Sequence, residues 1–530
     1  MDVETTRLDD PSDAKVPWDL SRSHHLLTVA RAACLTGGVQ YSSEVEHQIT
    51  SWMESNPPGV GINWVQPMEI ALRAVNWVWI VRTLEAEFPI SPPLRKRMAA
   101  SLASHARHIR LNLEGTPYLR SNHYLSNILG LLVLGAVIGG DPDAHRWFAY
   151  ARRAFEREIN TQVLDDGMGF EASVAYHGLA LEIFLLARHV AAWHRAPFSP
   201  RYDERLRRML TASRVLRHPD GRVPLFGDAD SGRVLPGSFA RPPSHDALLD
   251  LGAAVYGTQR YVDHVPSPEV AWTLGVGAWT RLAGAPLDTA PLPESLPHGG
   301  IYVLQRNGLR AVVRCGDVGQ NGNGGHAHND LGSYELFHRG PVVVDPGNYS
   351  YTSDPASRNA FRSTAAHNTI MIDGQEINPL PAELFRLPQL ARARVKLWNP
   401  GDRPVLVIEH DGYRRLPGKP RHQRSLELAP DGSSLAVTDR IAGSGHHHLE
   451  CLVHVAPGIE VRQIAPRTFA LARGEDAVRL SFSGPAVSVA VRAGWVAPEY
   501  GVRESTKVLV ATHTCNLPAR IEHRFALTGA

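Results

Sequence analysis

Two histidines two residues apart, His326 and His328, are followed by Asp345 seventeen residues on and by His367 twenty-two beyond that. In a strand, residues two apart face the same way, so both imidazoles can look into one site. His and Asp are also the nitrogen and oxygen donors that Zn2+ accepts, and the spacing suits a metal site assembled across neighbouring strands. The chain has 26 His, and a bare His-x-His pair is more often an ordinary surface or hydrogen-bonded feature. The surroundings argue for more. A Gly-rich run at 320–325 delivers the backbone to the first His, and Asp345 closes the apolar run 341–344 at a Pro-Gly turn. An ionised Asp at the end of a buried strand calls for a cation.

Three further constellations carry polar chemistry. The segment 63–77 puts Glu69, Arg73 and Asn76 on one helical face at spacings of four and three, which reads either as a surface Glu69–Arg73 pair or as a polar cleft wall between tryptophans. Ser121 is placed to cap a helix, leaving Asn122 and His123 at its N-terminus, whose positive dipole end attracts a carboxylate. The acidic-Gly stretch from Asp165 carries Glu171, read as a substrate-binding residue, and Tyr176 into another helix. A long polar loop at 348–362, rich in Arg and Tyr, could bring Tyr349 or Tyr351 with Arg358 and Arg362 to a cleft.

These residues need a frame. From Trp18 to about Trp279 the apolar spacing is helical, with segments at 21–35, 43–53, 65–88, 93–113, 122–138, 143–163 and 171–195, which build antiparallel pairs through short loops. Nine of the 11 Trp lie here, as core or as stacking platforms for sugar rings. A Pro-rich stretch at 284–298 reads as a linker between a domain at 18–283, preceded by a polar segment at 1–17, and a second domain at 299–530. After it the pattern becomes period two in many short runs, including 301–305, 310–314, 333–338, 412–414, 423–428 and 508–512, which predicts an antiparallel β-sandwich. The His triplet at 446–448 reads as a polar turn.

Several of these stretches, in this order, resemble the heparinase II/III-like polysaccharide lyases: Asn122-His123, the acidic-Gly loop leading to Glu171 and Tyr176-His177, Gly-His-Ala-His-Asn-Asp at 325–330, Val-Val-Asp-Pro-Gly at 343–347, Tyr-Ser-Tyr at 349–351 and the Arg-rich run 358–369. The resemblance covers nearly the whole chain from Trp18 and implies an α+β multidomain fold, an incomplete α/α toroid followed by the sandwich. It implies cleavage of a uronic-acid polysaccharide by β-elimination. That reaction must neutralise the uronate carboxylate, remove the C5 proton and protonate the departing glycosidic oxygen. By resemblance Asn122 and His123 bind or neutralise the carboxylate, with His123 alternatively a base. Tyr176 is the acid, in some members also the base, and His326 is the catalytic His at the domain junction. His328, Asp345 and His367 hold a zinc ion that organises the surface facing the cleft. Ionising the Tyr176 phenol would require cationic neighbours, for which Arg358, Arg362 and His326 are the candidates. Asp228 and Asp230, in a segment the family shares, are read as capping a turn, or as touching substrate.

Composition bounds the rest. A chain of 530 residues with 43% hydrophobic and 20% charged residues is expected to form two or three globular domains. The formal charge of +2 gives no bulk attraction to nucleic acid, so affinity for an acidic polymer must come from a local patch. No apolar run reaches the length of a membrane span, and the polar, acidic N-terminus predicts a cytoplasmic chain as written, or a periplasmic or secreted one if the true start lies upstream. Two rivals to the lyase stand: a glycoside hydrolase pairing Asp166 with Glu171 or Asp228 with Glu69, and a non-catalytic acidic-glycan-binding protein.

Overall fold

The computed structural model describes residues 12–237, 244–285, 290–484 and 487–527. Its first half is helical: α1 (Lys15–Ser21), α2 (His24–Thr36), α3 (Val39–Ser55), α4 (Pro67–Leu84), α5 (Pro92–Leu111), α6 (Asn122–Val137), α7 (Ala144–Thr161), α8 (Val174–Trp193), α9 (Pro200–Leu216), α10 (Asp246–Tyr256), α11 (Glu269–Leu274) and α12 (Val276–Ala283). The helices divide into two rings by composition. In α4, α6 and α8 nearly every position is buried, whereas α5, α7 and α9 each bury one stripe and show the other to water. A helix apolar all round must be enclosed by others, so the first three form the inner ring of the toroid. Among the described residues α8 is the one helix long and apolar enough to cross a membrane, and it lies inside this ring.

Helix starts follow local chemistry. Pro67 and Pro92 occupy first-turn positions where their missing N–H costs nothing. The Ser173 hydroxyl accepts the Tyr176 N–H at 3.1 Å, which starts α8 three residues later than the periodicity predicts. Glu171 therefore precedes the helix. The predicted 21–35 helix is likewise broken, because Ser23 takes a left-handed conformation between α1 and α2.

The second half is antiparallel. A five-stranded sheet runs β1 (Ser295–Leu296), β2 (Ile301–Arg306), β3 (Leu309–Arg314), β4 (Tyr334–His338) and β5 (Pro341–Val343). A short helix, α13 (Pro355–Phe361), capped by Asp354, and β6 (Ile370–Ile372) follow. The remaining strands are β7 (Ala393–Asn399), β8 (Val405–His410), β9 (Arg421–Leu428), β10 (Ser434–Ala442), β11 (His446–His454), β12 (Glu460–Ala465), β13 (Thr468–Arg473), β14 (Asp476–Ser483), β15 (Ser488–Glu499), β16 (Val502–Asn516) and β17 (Ala519–Leu527). They form an eight-stranded sheet in the order β12-β13-β14-β17-β10-β9-β8-β7 and a four-stranded sheet in the order β15-β16-β11-β6. One apolar core takes side chains from all three sheets.

Four details differ from the sequence reading. The His triplet opens β11 instead of a turn: His447 is turned inward onto Asp373 at 2.7 Å while its two neighbours face water. Residues 412–414 are a turn, with Tyr413 buried. Strand β1 falls inside the stretch read as linker, of which 286–289 lie outside the described residues. Strand β17 escapes the period-two pattern because one inward position is polar, His523, bonded to the Tyr334 hydroxyl at 2.7 Å.

The halves meet where backbone touches backbone. The Asp228 N–H donates to His326 C=O at 3.0 Å, and the Gln320 N–H donates to Phe170 C=O at 2.8 Å. Gly227 and Gly319 flank these crossings at φ 76° and 72°, and a Cβ on either would strike carbonyl oxygens of the other half at 2.8 and 2.3 Å. Only Gly permits both the conformation and the approach.

Candidate active site

The first turns of α4, α6 and α8 border one cavity of about 530 Å3, which is faced across the junction by His326, Tyr351 and Phe385 of the β half. Three helix N-termini thus point their positive ends at the same space, a favourable setting for an anionic ligand. The cavity is tied across its mouth by the N-terminal segment: the Tyr500 hydroxyl donates to Asp13 at 2.7 Å and accepts the Tyr351 N–H at 3.1 Å.

Tyr176, six per cent exposed, places its hydroxyl 3.0 Å from that of Tyr351 and stacks its ring on the His326 imidazole at 3.7 Å and 16°. Burial pushes the phenol well above its usual pKa, and the nearby Asp230 and Asp228 charges push the same way. The expected cationic activation is therefore absent. Arg358 is fully buried and clamps Asp228, with Nη2 at 2.7 Å from Oδ2 and Nη1 on Oδ1. Arg362 is spent on the carbonyls of Leu384 and Arg386, both at 2.9 Å, which fold the loop carrying Phe385. Neither guanidinium borders the cavity, which corrects their reading as substrate-binding residues.

His326 bonds through Nδ1 to Asp228 Oδ2 at 3.0 Å, while Nε2 stands 3.4 Å from Glu171 and 3.5 Å from the Asn122 amide. Donation from Nδ1 fixes the tautomer and leaves the Nε2 lone pair of the neutral ring for the cleft. His123 turns Nδ1 to Glu114 at 2.8 Å. Burial opposes its charge, but the Glu114 hydrogen bond and the Glu114, Glu69 and Glu171 charges outweigh that and raise its pKa.

The N-terminus of α6 does hold a carboxylate, though one of the protein's own. Glu171 accepts the Asn122 backbone N–H at 2.7 Å, its side-chain N–H at 2.9 Å and the Gln320 amide at 3.0 Å. Glu171 is thus a positioning residue that aims Asn122, which corrects its assignment to substrate. The second N–H of the Asn122 amide makes only a long contact, 3.5 Å, to His326 Nε2 and is free to turn to a ligand in the cleft. Replacing Glu171 with Ala is expected to cost about tenfold in kcat, and a cycle with Asn122→Ala checks it: the two losses should overlap rather than add.

Arg73 and Asn76 do not reach the cleft. Arg73 is enclosed, bonded to His105 at 3.0 Å and to Ser21 at 2.9 Å with Trp52 4.2 Å below its plane, and Asn76 bonds the Leu72 and Val234 carbonyls. Glu69 does line the cavity, paired with Arg22 at 2.6 Å and not with Arg73. Tyr349 lies off the cleft beside Phe361 and Arg503, so Tyr351 is the member of its pair that arrives. Trp64, Trp77 and Trp79 are core, whereas Trp18 borders the cavity.

Asp228, read from the sequence as capping a turn or touching substrate, does not border the cavity and joins the histidine pair to Arg358. Fully buried, it accepts from His326 on one oxygen and from His328 Nε2 at 2.8 Å on the other, while Arg358 spans both. Burial works against its charge, yet Arg358 and the two imidazoles hold the carboxyl far below the usual range. Breaking such a buried pair costs about 3–5 kcal/mol, so Asp228 and Arg358 stand together. The two His of the motif consequently diverge. They lie in a loop before β4, with His326 on the cleft and His328 turned towards Asp345 and His367.

One donor atom from each of His328, Asp345 and His367 lies within 4.8 Å of the others, all buried. His328 Nδ1 and His367 Nε2 have no hydrogen-bond partner, which is costly for buried ring nitrogens unless something else binds them. A second cluster, Asp439, Cys451 and His523, differs in that Arg424 already occupies Asp439 at 2.7 and 2.9 Å.

With this geometry in view, two family descriptions match the chain: Heparinase II/III N-terminus over residues 2–239 and Heparinase II/III-like, C-terminal over 288–523. The chain belongs to the heparinase II/III-like family. Within that family it is 22% identical over 528 residues to the heparin-sulfate lyase of Bacteroides stercoris, covering 93% of this chain and 72% of the relative. It is 25% identical over 457 residues to the heparin-sulfate lyase of Pedobacter heparinus, covering 82% of this chain but 62% of that relative. The crystal structure of heparinase III superposes with a TM-score of 0.76 at 16% identity, covering 96% of this chain and 76% of that one, a likeness of fold.

Proposed function

We propose that this chain is a carbon–oxygen lyase that cleaves a uronic-acid-containing polysaccharide by β-elimination in the cavity between its halves. The observation that carries the reading is the convergence there of Asn122, His123, His326 and Tyr176 on one cavity. The Asn122 amide and the His123 imidazole, whose pKa is raised, receive the uronate carboxylate and stabilise the enediolate-like charge as it develops. His326 Nε2 takes the C5 proton, and Asp228 steadies the imidazolium through Nδ1. Tyr176, kept as a phenol, hands its proton to the departing oxygen. Because the two rings stack at 3.7 Å, both protons move on one side of the sugar, which suits a syn elimination.

The hydrolase reading finds no support in the carboxylates. Asp166 is bonded to the Met168 and Gly299 N–H groups, Glu171 is saturated by donors, and Asp228 is sealed under Arg358. Incubation with a panel of uronate polymers tests the lyase: near-ultraviolet absorbance from unsaturated ends supports it, and reducing ends without that absorbance overturn it.

His328, Asp345 and His367 fit a zinc ion: two nitrogens and a carboxylate oxygen, two of the atoms buried without a partner, and His328 braced from behind by Asp228 as zinc-bound imidazoles commonly are. When bound, the ion would supply positive charge that knits the loops after β5 and before β6 beneath the cleft. Elemental analysis should find about one zinc per chain, and chelation should lower the Tm. Metal-free protein with an unchanged Tm refutes the assignment.

A further inference from the structure

Acidic side chains in the catalytic cavity outnumber its Lys and Arg. Asp13, Glu69, Glu114 and Asp230 face Lys15 and Arg22 there. Its helix N-termini and imidazoles can seat one carboxylate, but its charge does not draw in a polyanion from a distance. The opposite sign is collected elsewhere. On the outer face of the eight-stranded sheet, Arg440 of β10 sits directly across from Arg520 of β17 and, on its other side, from Gln423 of β9. Arg421 lies two residues from Gln423 on the same face. All three Arg are exposed and border a groove of about 790 Å3 between this face and the far end of β16.

Like charges directly opposite in an antiparallel pair destabilise it. Here the repulsion is only partly relieved. Arg520 is tied to Glu522 at 2.6 Å, and one carboxylate, Glu409, borders the groove beyond Gln423. Among the described residues neither Arg421 nor Arg440 has an ion pair or a side-chain hydrogen bond. Arg presents a planar fork of donors that matches carboxylate and sulfate oxygens, and two unspent forks beside a third in one groove make an anion-binding surface.

We infer that this groove is an accessory binding site for the acidic polysaccharide, separate from the catalytic cavity. Strand β16 has 15 residues and runs from beside Tyr500, at the cleft, to Asn516, at the groove. At 3.2–3.4 Å per residue its ends stand roughly 45 Å apart. One long chain can therefore engage groove and cleft together, whereas a short oligosaccharide can occupy only one. Anchoring at the groove raises the effective concentration of polymer at the cleft without a new catalytic contact. The inference rests on the acidic-polysaccharide reading of the cleft.

The experiment measures binding of heparan sulfate, as long chains and as a tetrasaccharide, to protein carrying Tyr176→Phe, which binds without turnover. Adding Arg421→Ala and Arg440→Ala should weaken long-chain binding about tenfold and flatten its salt dependence. Tetrasaccharide binding should change less than twofold, and the Tm should not fall, since the Arg440 substitution removes a like-charge pair from the sheet. Arg440→Glu, which places a negative charge in the groove, should weaken long-chain binding further. Unchanged long-chain affinity in both variants overturns the proposal, as does a parent protein that ignores heparan sulfate or that binds duplex DNA equally well through the same arginines. A protein that cleaves no uronate polymer, yet loses long-chain binding on these substitutions, keeps the groove and loses the lyase.

Discussion

Tyr176→Phe should abolish turnover while leaving the fold and polymer affinity almost untouched. The substitution removes one oxygen from a ring that is otherwise held by stacking on His326 and by packing at the start of α8, so the cavity walls stay in place. What is lost is the proton donor. Burial and the neighbouring carboxylates keep that proton on the phenol well above pH 10, so in the free enzyme Tyr176 is fully charged with its proton across the working range. A positioned acid of this kind is worth about 100- to 10,000-fold, and the loss should fall on kcat with KM nearly constant. Tyr351, whose hydroxyl is 3.0 Å away, could relay a proton in its place. Residual activity above about a tenth, within the range expected of a bystander hydroxyl, would mean that another group carries the transfer.

How far the sequence reaches depends on the kind of signal. His328, Asp345 and His367 stand out in the sequence by residue type and spacing, and the fold gathers these three, without His326, into one buried cluster. The helical spacing gives the antiparallel helix pairs but does not separate α4, α6 and α8, which the fold buries on nearly every side as its inner ring. The same spacing misleads for Arg73 and Asn76. On a helix buried on every side, a polar stripe marks an internal hydrogen-bond network and not a cleft wall. Arg358 and Arg362 sit in a polar stretch that looked exposed, yet α13 forms within it and turns both inward onto Asp228 and backbone carbonyls. Asp228 had a recognisable segment but no legible role. Its three partners lie about 100 and 130 residues away, a distance along the chain that no local pattern encodes. Glu171 was misread for a related reason: the N-terminus of α6 advertises a carboxylate site without saying whose carboxylate fills it.

A polymer whose uronates have been reduced to neutral sugars should not be cleaved at all, and Asn122→Ala should lose about 100-fold or more in kcat on the native polymer. Both results have one cause. The C5 proton is too weakly acidic to leave while the adjoining carboxylate keeps its full charge, and removing that carboxylate deletes the acidifying group altogether. Asn122 is held by two hydrogen bonds to Glu171, one from its backbone N–H and one from its side-chain amide, and that amide lies 3.5 Å from His326, beside the base that would take the proton. Its remaining N–H is therefore needed most as charge moves onto the carboxylate, a transition-state interaction that shows in kcat. A hydrolase makes the opposite demand. Its oxocarbenium-like transition state gains nothing from an amide at the carboxylate and depends on a carboxyl pair flanking the scissile bond, so Glu171→Gln or Asp166→Asn would be the crippling changes. Comparing the native and reduced forms of one polymer, with the parent and Asn122→Ala side by side, separates the two. Cleavage of the reduced polymer by the parent, together with an active Asn122→Ala, would replace the elimination by a carboxylate-pair hydrolysis that the buried, donor-saturated Glu171 and Asp228 make difficult to build.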